Sequence, residues 1–257
     1  MHADLPLSTG TLFAFLLVLA RVGGAMVFVP LPGLKGTPDA VRAAFALAFT
    51  FALYGQWPAV DAASLTPARL IGWALAEAAV GIAIGVCVAI VLEAFVLAAQ
   101  VLGLQAGYAY ASTVDPTTQA DSGILLVFAQ LIAGMLFFVM GLDREVLRLF
   151  AESLGRIPPG TWAFHPGSAD AIIRLGSSLF SVGMRLSLPV VALLILVDVA
   201  LALLGRLNAQ LQLLTLAFPA KMLAALLVLS WIGSVFPRLM RELSTHSWTG
   251  AHRLLGL

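Results

Sequence analysis

Hydrophobic residues occur along this chain in six long runs separated by short polar stretches. The runs extend from about Thr11 to Val29, Val41 to Trp57, Pro67 to just beyond Gly103, Gly123 to Leu142, Ala169 to Leu204 and Leu213 to Val235. Most are close to or longer than the roughly 20 residues that a bilayer-spanning helix needs, and prolines or glycines end several of them. The pattern predicts an all-α membrane protein with about six hydrophobic helical segments, organised as a single membrane domain over residues 1–257.

Two of the runs are too long for a simple crossing. The third covers about 35 residues and would measure about 50 Å as a helix, against a hydrocarbon core of about 30 Å. It must therefore bend, break or project from the bilayer. The fifth run is similarly long, and we expect kinks at Gly176, Gly183 and Pro189.

Charged segments flank these runs. An amphipathic segment from Asp143 to Leu154 follows the fourth run and ends at Ile157-Pro-Pro-Gly160. After the sixth run, Pro237 stops the apolar pattern and a short charged tail closes the chain. The N-terminus lacks the basic region of a cleavable signal, so we expect it to belong to the mature protein.

The basic residues predict an orientation. If all six runs cross, the side that holds both termini carries Arg69, Arg144, Arg148, Arg156, Arg174, Arg238, Arg241 and Arg253, and the other side carries Lys35, Arg42 and Arg206. Cytoplasmic loops are enriched in lysine and arginine. We therefore expect both termini in the cytoplasm.

Composition supports a membrane location and argues against nucleic acid. The chain is 61% hydrophobic and only 11% charged, under half the charged fraction of a soluble domain. Its net charge of +1 provides no basic footprint for nucleic acid. The single cysteine, Cys87, lies in an apolar run, where we expect a small buried hydrophobe.

Six charged residues lie inside or at the shoulders of apolar runs: Arg21, Glu77, Glu93, Arg185, Asp198 and Lys221. Each would cost roughly 2.5 to 3.5 kcal/mol if it faced lipid. They form either a proton or ion relay or structural contacts between helices or subunits. On a helix, Glu77 and Glu93 are rotated by about 160° from one another, and Arg185 and Asp198 also point to different faces. Because these charges do not converge on one site, we favour structural contacts with residues of other helices or other subunits. A chain with so many unpaired internal charges is typical of one subunit of a larger assembly.

Small residues predict close helix packing in the third run. Gly81 and Gly85, and again Gly103 and Gly107, have the four-residue spacing that lets helix backbones approach in a membrane.

The polar stretch from Gln100 to Gly123 interrupts the apolar sequence, and we interpret it as narrowing or plugging a passage. Gly103 and Gly107 would permit packing and bending, and Tyr108 and Tyr110 would supply bulk. The remaining polar candidates are Ser112, Asp115, Pro116 and Asp121. Asp115 and Asp121 are better turn formers than an acid and base pair, because Asp115 precedes Pro116 among small polar residues.

Catalytic signatures are missing from the sequence. The four histidines lie outside the apolar runs and none has the spacing of a helical zinc site. Phosphate-loop, dinucleotide-binding and nucleophile-elbow motifs do not occur either. We therefore expect no enzyme activity, no metal and no cofactor.

Several segments together resemble the FliR/SctT family, the export-gate membrane component of bacterial flagellar and related type III secretion systems. The resemblance rests on Leu19-Ala-Arg-Val-Gly-Gly-Ala-Met-Val-Phe-Val-Pro30, on Glu77-Ala-Ala-Val-Gly-Ile-Ala-Ile-Gly85 and, most specifically, on Gly103-Leu-Gln-Ala-Gly-Tyr-Ala-Tyr-Ala-Ser-Thr-Val-Asp-Pro116. Segments near Pro38 and from Leu201 to Lys221 agree as well. The pattern after Ser112 and the pair Phe218-Pro219 favour the flagellar branch.

The resemblance implies a helical subunit of a hetero-oligomeric export gate in the bacterial inner membrane, at the flagellar basal body. Its long, kinked helices would form hairpins, and its partners would be FliP-like and FliQ-like membrane subunits, an FlhB-like export switch protein, membrane lipid and exported unfolded proteins. A plug loop would cover about residues 107–121. An injectisome gate subunit and a small secondary transporter are the alternatives, although a transporter would show an internal repeat that this sequence lacks.

Overall fold

The structure is a computed structural model that describes residues 8–29, 38–61, 66–107, 123–163, 166–207 and 213–256. Within these ranges the chain is helical and has no β-strand, so the predicted all-α class is confirmed. The helices are α1 (Thr9–Phe28), α2 (Asp39–Ala52), α3 (Pro67–Ala106), α4 (Gly123–Val139), α5 (Leu142–Arg156), α6 (Pro166–Leu207), α7 (Leu213–Ile232) and α8 (Phe236–Leu255).

Among the described residues, four helical stretches are long and apolar enough to cross a membrane: Thr9–Phe28, Pro67–Ala106, Gly167–Arg206 and Pro219–Leu255. The pair α4 and α5, joined by a short break, would make a fifth if it were one broken span. Gly141 lies at this break with a φ of 70°, a left-handed conformation that glycine adopts without strain. The chain is thus a multi-pass membrane protein, in approximate agreement with the expected six segments.

The second apolar run forms a helix that is too short to span. α2 has 14 residues and is followed by a 3₁₀ turn, Tyr54–Gln56. The indole Nε1 of Trp57 donates a hydrogen bond of 3.0 Å to the carbonyl oxygen of Thr50, which folds the chain back on the helix. Trp57 also contacts the rings of Phe15 and Phe51. Aromatic packing therefore ends the helix before the expected boundary.

Both overlong runs are single helices. α3 has 40 residues, about 60 Å at 1.5 Å per residue, and α6 has 42 residues and continues through Pro189. The expected kinks at Gly176, Gly183 and Pro189 of α6 stay a prediction, because α6 is one continuous helix whether or not it bends there. Gly183 also serves packing, because a Cβ there would lie 2.8 Å from the side chain of Leu97.

The charged tail is a helix as well. α8 has 20 residues and buries Met240, Leu243 and Ala251. No secondary structure was predicted for this tail from the sequence. Pro237 lies in the first turn of α8, where a helix tolerates proline, and so it does not prevent the tail from being helical. Ser247 of α8 donates a hydrogen bond to the carbonyl oxygen of Cys87, and Cys87 is buried as expected.

The chain divides into two compact units. Unit 1 comprises Met1–Ile90, Gly141–Gly176 and Ser244–Leu257, and unit 2 comprises Val91–Met140 and Ser177–Leu243. The helices α3, α6 and α8 contribute to both.

In unit 1, α1 and α3 pack with their backbones in contact. A Cβ at Gly81 would collide with the carbonyl oxygen of Arg21, and a Cβ at Gly85 would collide with the backbone of Ala25. The same is true of Gly24 in α1, which faces the carbonyl oxygen of Ala78. Glycines on both helices thus create the close approach.

In unit 2, a separate apolar core joins four helices. It consists of Ala99, Leu102 and Ala106 of α3, Leu125 of α4, Val190 and Leu194 of α6, and Ala225 of α7. Small alanines on α3 and α7 allow this packing.

Replacing Gly81 with alanine tests the α1 and α3 contact. We expect Gly81→Ala to lower the free energy of unfolding by about 1–3 kcal/mol, because a backbone carbonyl cannot yield to the added methyl group. The midpoint of thermal aggregation of the detergent-purified protein measures this change.

The matched control is Gly72→Ala in the same helix, where a Cβ would meet no atom within 4 Å. Alanine favours the helix over glycine by about 1 kcal/mol, so the Gly72→Ala variant should be as stable as the parent or more stable. Equal midpoints for the two variants would contradict the proposed role of Gly81.

Candidate functional site

Arg21, in the middle of α1, is completely buried in unit 1, with 0% of its surface exposed. Its Nε donates to Oε2 of Glu77 at 2.6 Å, and its Nη1 donates to Oγ of Ser153 at 3.1 Å. Its Nη2 donates to the carbonyl oxygen of Ile157 at 3.1 Å. One guanidinium therefore joins α1 to α3, to α5 and to the turn that follows α5.

Both carboxylate oxygens of Glu77 accept hydrogen bonds. It is 1% exposed, and its second oxygen, Oε1, accepts a hydrogen bond of 3.3 Å from the backbone amide of Gly160. Gly160 has a φ of 74° and lies against the ring of Trp73. Ser153, in turn, donates to the carbonyl oxygen of Phe150 at 2.8 Å. Because buried charges are stable only when paired and hydrogen-bonded, this cluster favours a structural role over a relay.

Unit 2 contains a second polar cluster centred on Asp198 of α6. Nζ of Lys221, on α7, lies 2.9 Å from Oδ1 and 3.0 Å from Oδ2 of this carboxylate. Nε2 of Gln105, in the last turn of α3, donates to Oδ2 at 3.4 Å. The side chain of Lys221 is 12% exposed and that of Asp198 is 44% exposed. The carboxylate thus connects three helices and keeps one side accessible.

The other two predicted internal charges are more exposed. Nη1 of Arg185 lies 3.9 Å from Oε1 of Glu242, and the two side chains are 63% and 46% exposed. An exposed ion pair of this kind adds little stability. Glu93 is exposed on α3 and has no hydrogen-bond or ion-pair partner among the residues that the structure describes. Glu77 lies in unit 1 and Glu93 in unit 2.

The predicted constriction falls mainly on residues outside the described ranges, namely Tyr108, Tyr110, Ser112, Asp115, Pro116 and Asp121. The two glycines that precede them are described. Gly107 has a φ of 83° and terminates α3. A Cβ at Gly103 would meet no other atom within 4 Å, so the second glycine pair makes no close helix contact at that position.

Several polar groups at these clusters were not singled out from the sequence. Ser153 and the amide of Gly160 complete the Arg21 and Glu77 cluster, and Gln105 and Glu242 contact Asp198 and Arg185. Gln105 lies inside the polar stretch that begins at Gln100, which is the one signal that the sequence offers for it. Within the described ranges, no group of three histidine, cysteine, aspartate or glutamate residues is arranged to hold a metal ion.

The long apolar helices, with most of their internal charges paired, define a multi-pass membrane protein. The sequence model of one family, bacterial export proteins, family 1, matches residues 12–247. The chain belongs to this family, which confirms the resemblance seen in the sequence.

Relatives agree with the family match. The flagellar biosynthetic protein FliR of Escherichia coli (strain K12) is 28% identical over 202 residues, which cover 78% of this chain and 77% of the relative. FliR of Bacillus subtilis (strain 168) is 25% identical over 249 residues, 95% of each chain. The secretion system apparatus protein SsaT of Salmonella typhimurium is 29% identical over 161 residues, 62% of each.

Breaking the buried pair should destabilise the protein strongly. We expect Glu77→Gln, which leaves the Arg21 charge without its partner, to lower the free energy of unfolding by about 3–5 kcal/mol. The double variant Arg21→Met/Glu77→Gln should lose less than the sum of the losses of Arg21→Met and Glu77→Gln, because neither charge is then left buried alone. Thermal aggregation midpoints of the four proteins in a double-mutant cycle measure the coupling.

The exposed pair of Glu145 and Arg148, with N and O atoms 2.9 Å apart, provides the control for this cycle. We expect Glu145→Gln to change the free energy by less than about 1 kcal/mol. A Glu77→Gln variant as stable as Glu145→Gln would refute the structural role of the buried pair.

Proposed function

We propose that this chain is an export-gate subunit of the flagellar type III protein secretion apparatus, needed for flagellum assembly and for passage of unfolded flagellar proteins across the inner membrane. The observation that carries this proposal is the family match over residues 12–247, together with relatives named as flagellar biosynthetic proteins along up to 95% of their length. In this role the chain acts by shaping a passage, without a chemical step of its own.

The family implies a membrane export complex, and the proposed partners are FliP-like and FliQ-like subunits and an FlhB-like export switch protein. The exposure of α6 supports other protein subunits around this chain. In the most apolar stretch of α6 only 11% of the residues are buried, whereas the corresponding share in α3 is 72%. Arg185 and Glu93 are exposed on apolar helices, where lipid contact would cost roughly 2.5 to 3.5 kcal/mol each. Polar groups of neighbouring subunits would remove that cost.

The proposed orientation places both termini in the cytoplasm. Four crossings leave the two ends on the same side, with α4 and α5 as a re-entrant pair. That side then carries Arg144, Arg148, Arg156, Arg174, Arg238, Arg241 and Arg253, and the other side carries Lys35, Arg42, Arg69 and Arg206. The excess of basic residues therefore stays with the termini when the number of crossings is reduced from six to four.

In this proposal, residues 107–121 plug the passage. Glycine at position 107 ends α3 in a left-handed turn, so the chain leaves the helix there. Tyr108 and Tyr110 supply bulk, and Asp115-Pro116 fixes a turn.

Deletion of the gene in its own bacterium tests the function. We expect a non-motile strain that retains flagellin inside the cell, and recovery of motility and of flagellin in the medium when the chain is supplied from a plasmid. Immunoblots of culture supernatant measure export, and a cytoplasmic protein serves as the lysis control.

A motile deletion strain with normal flagellin export would refute the flagellar role. Loss of effector secretion in place of flagellin export would instead support an injectisome gate, the second candidate, which the similarity to SsaT favours.

Removing the loop tests the plug. We expect deletion of residues 111–119 to raise ion leakage through the assembled complex, because the passage loses its obstruction. Conductance of the complex in planar bilayers measures the change at matched amounts of protein. Unchanged conductance with intact assembly would rule out a plug at these residues.

A further inference from the structure

Unit 2 contains an apolar cavity of about 430 Å³. Its walls include Phe95 of α3, Ala129 of α4, Leu186 of α6, Leu229 of α7 and Phe236 of α8, and every described residue that lines it is apolar. The volume lies within the range of about 300–1,000 Å³ that is typical of small-molecule sites. Water does not fill such a cavity, because apolar walls offer it no hydrogen-bond partners. The occupant that fits these walls is therefore a hydrocarbon.

The cavity reaches the surface of the membrane-spanning part of the chain. Phe128 of α4, another wall residue, is 53% exposed. Further walls come from α3 and α6, which are long and apolar enough to cross a membrane. The medium outside such helices is the hydrocarbon of the bilayer. An acyl chain of a membrane lipid can therefore enter the cavity without passing through water.

A group of charges lies beside two of the walls. Arg185 directly precedes Leu186, and its Nη1 is 3.9 Å from Oε1 of Glu242. Arg238 follows Phe236 by two residues and lies one helical turn before Glu242, on the same face of α8. Arg238 is exposed, and no hydrogen bond or ion pair joins it to the residues that the structure describes. Two arginines and one carboxylate give this group a net positive charge.

We propose that unit 2 binds an anionic phospholipid, with an acyl chain in the cavity and the phosphate on Arg238. Hydrocarbon in the cavity restores the dispersion contacts that an empty space lacks. Arginine matches a phosphate through two parallel hydrogen bonds, and basic residues at a membrane surface attract anionic headgroups. The net positive charge beside the walls favours this lipid over a side chain of another protein as the occupant. The site does not depend on the proposed export role.

Filling the cavity tests the binding of the acyl chain. Ala129→Phe places a ring in the space, whereas Val127→Phe adds a ring on the same helix at a position that is 49% exposed and is not a wall. Native mass spectrometry of the purified full-length chain, titrated with phosphatidylglycerol, measures the affinity. We expect Ala129→Phe to bind this lipid about tenfold more weakly than the parent and Val127→Phe to bind it equally well. Equal affinities of the two variants would overturn the proposal.

A charge variant tests the headgroup contact. We expect the parent to bind phosphatidylglycerol about tenfold more tightly than phosphatidylcholine, and Arg238→Gln to bring this ratio close to one. Arg253→Gln, which removes an exposed arginine near the other end of α8, is the matched control and should keep the parent's ratio. A parent chain that binds the two lipids equally, or an Arg238→Gln variant that keeps the preference, would refute the phosphate site.

Photo-crosslinking decides the matter on the parent chain if a variant fails to fold. Phosphatidylglycerol with a diazirine near the end of one acyl chain is added at one molecule per protein. Label on the wall residues Ile132 and Leu229 supports the site, whereas label confined to exposed positions such as Leu131 and Leu227 overturns it. If another protein subunit occupies the cavity, the wall residues stay unlabelled in the complex purified from its own membrane, and the proposal also fails.

Discussion

The buried pair of Arg21 and Glu77 is the interaction on which unit 1 depends. A charge in an apolar interior is tolerated only when every polar atom around it finds a partner. Here the partners come from α3, from α5 and from the turn after α5. Segments far apart in sequence are therefore held by a single side chain, and the loss of any one of them would leave a charge or a polar group unsatisfied.

The glycines of α1 and α3 make this pair possible. With Gly81 and Gly85 against Arg21 and Ala25, the two helices lie close enough for the Arg21 side chain to reach Glu77 while both remain buried. A larger residue at Gly81 would separate the backbones and change the geometry of the ion pair. Packing and electrostatics in unit 1 are thus two aspects of the same contact.

Much of the helical architecture follows from the order of apolar residues alone. The long α3 was predicted because its apolar run has no proline after Pro67, and the amphipathic α5 was predicted from its charges. The extents of α2 and α8 were not predicted. Packing around Trp57 ends α2 early, and Pro237 lies at the start of α8, where proline does not stop a helix. Arg21 and Glu77 were recognised as internal charges, but 56 residues separate them, and no local spacing indicates such a pairing. Ser153 and Gly160 were missed for the same reason.

The exposed charges on the long apolar helices affect the cellular abundance of the folded protein. A chain that carries Arg185 on the open surface of α6 is less stable in lipid alone than among subunits that cover it. Any partner that binds only the folded form stabilises it by mass action, so stability becomes a function of subunit concentration. The abundance of this protein would then follow the abundance of its neighbours, and an excess copy would be a substrate for proteolysis.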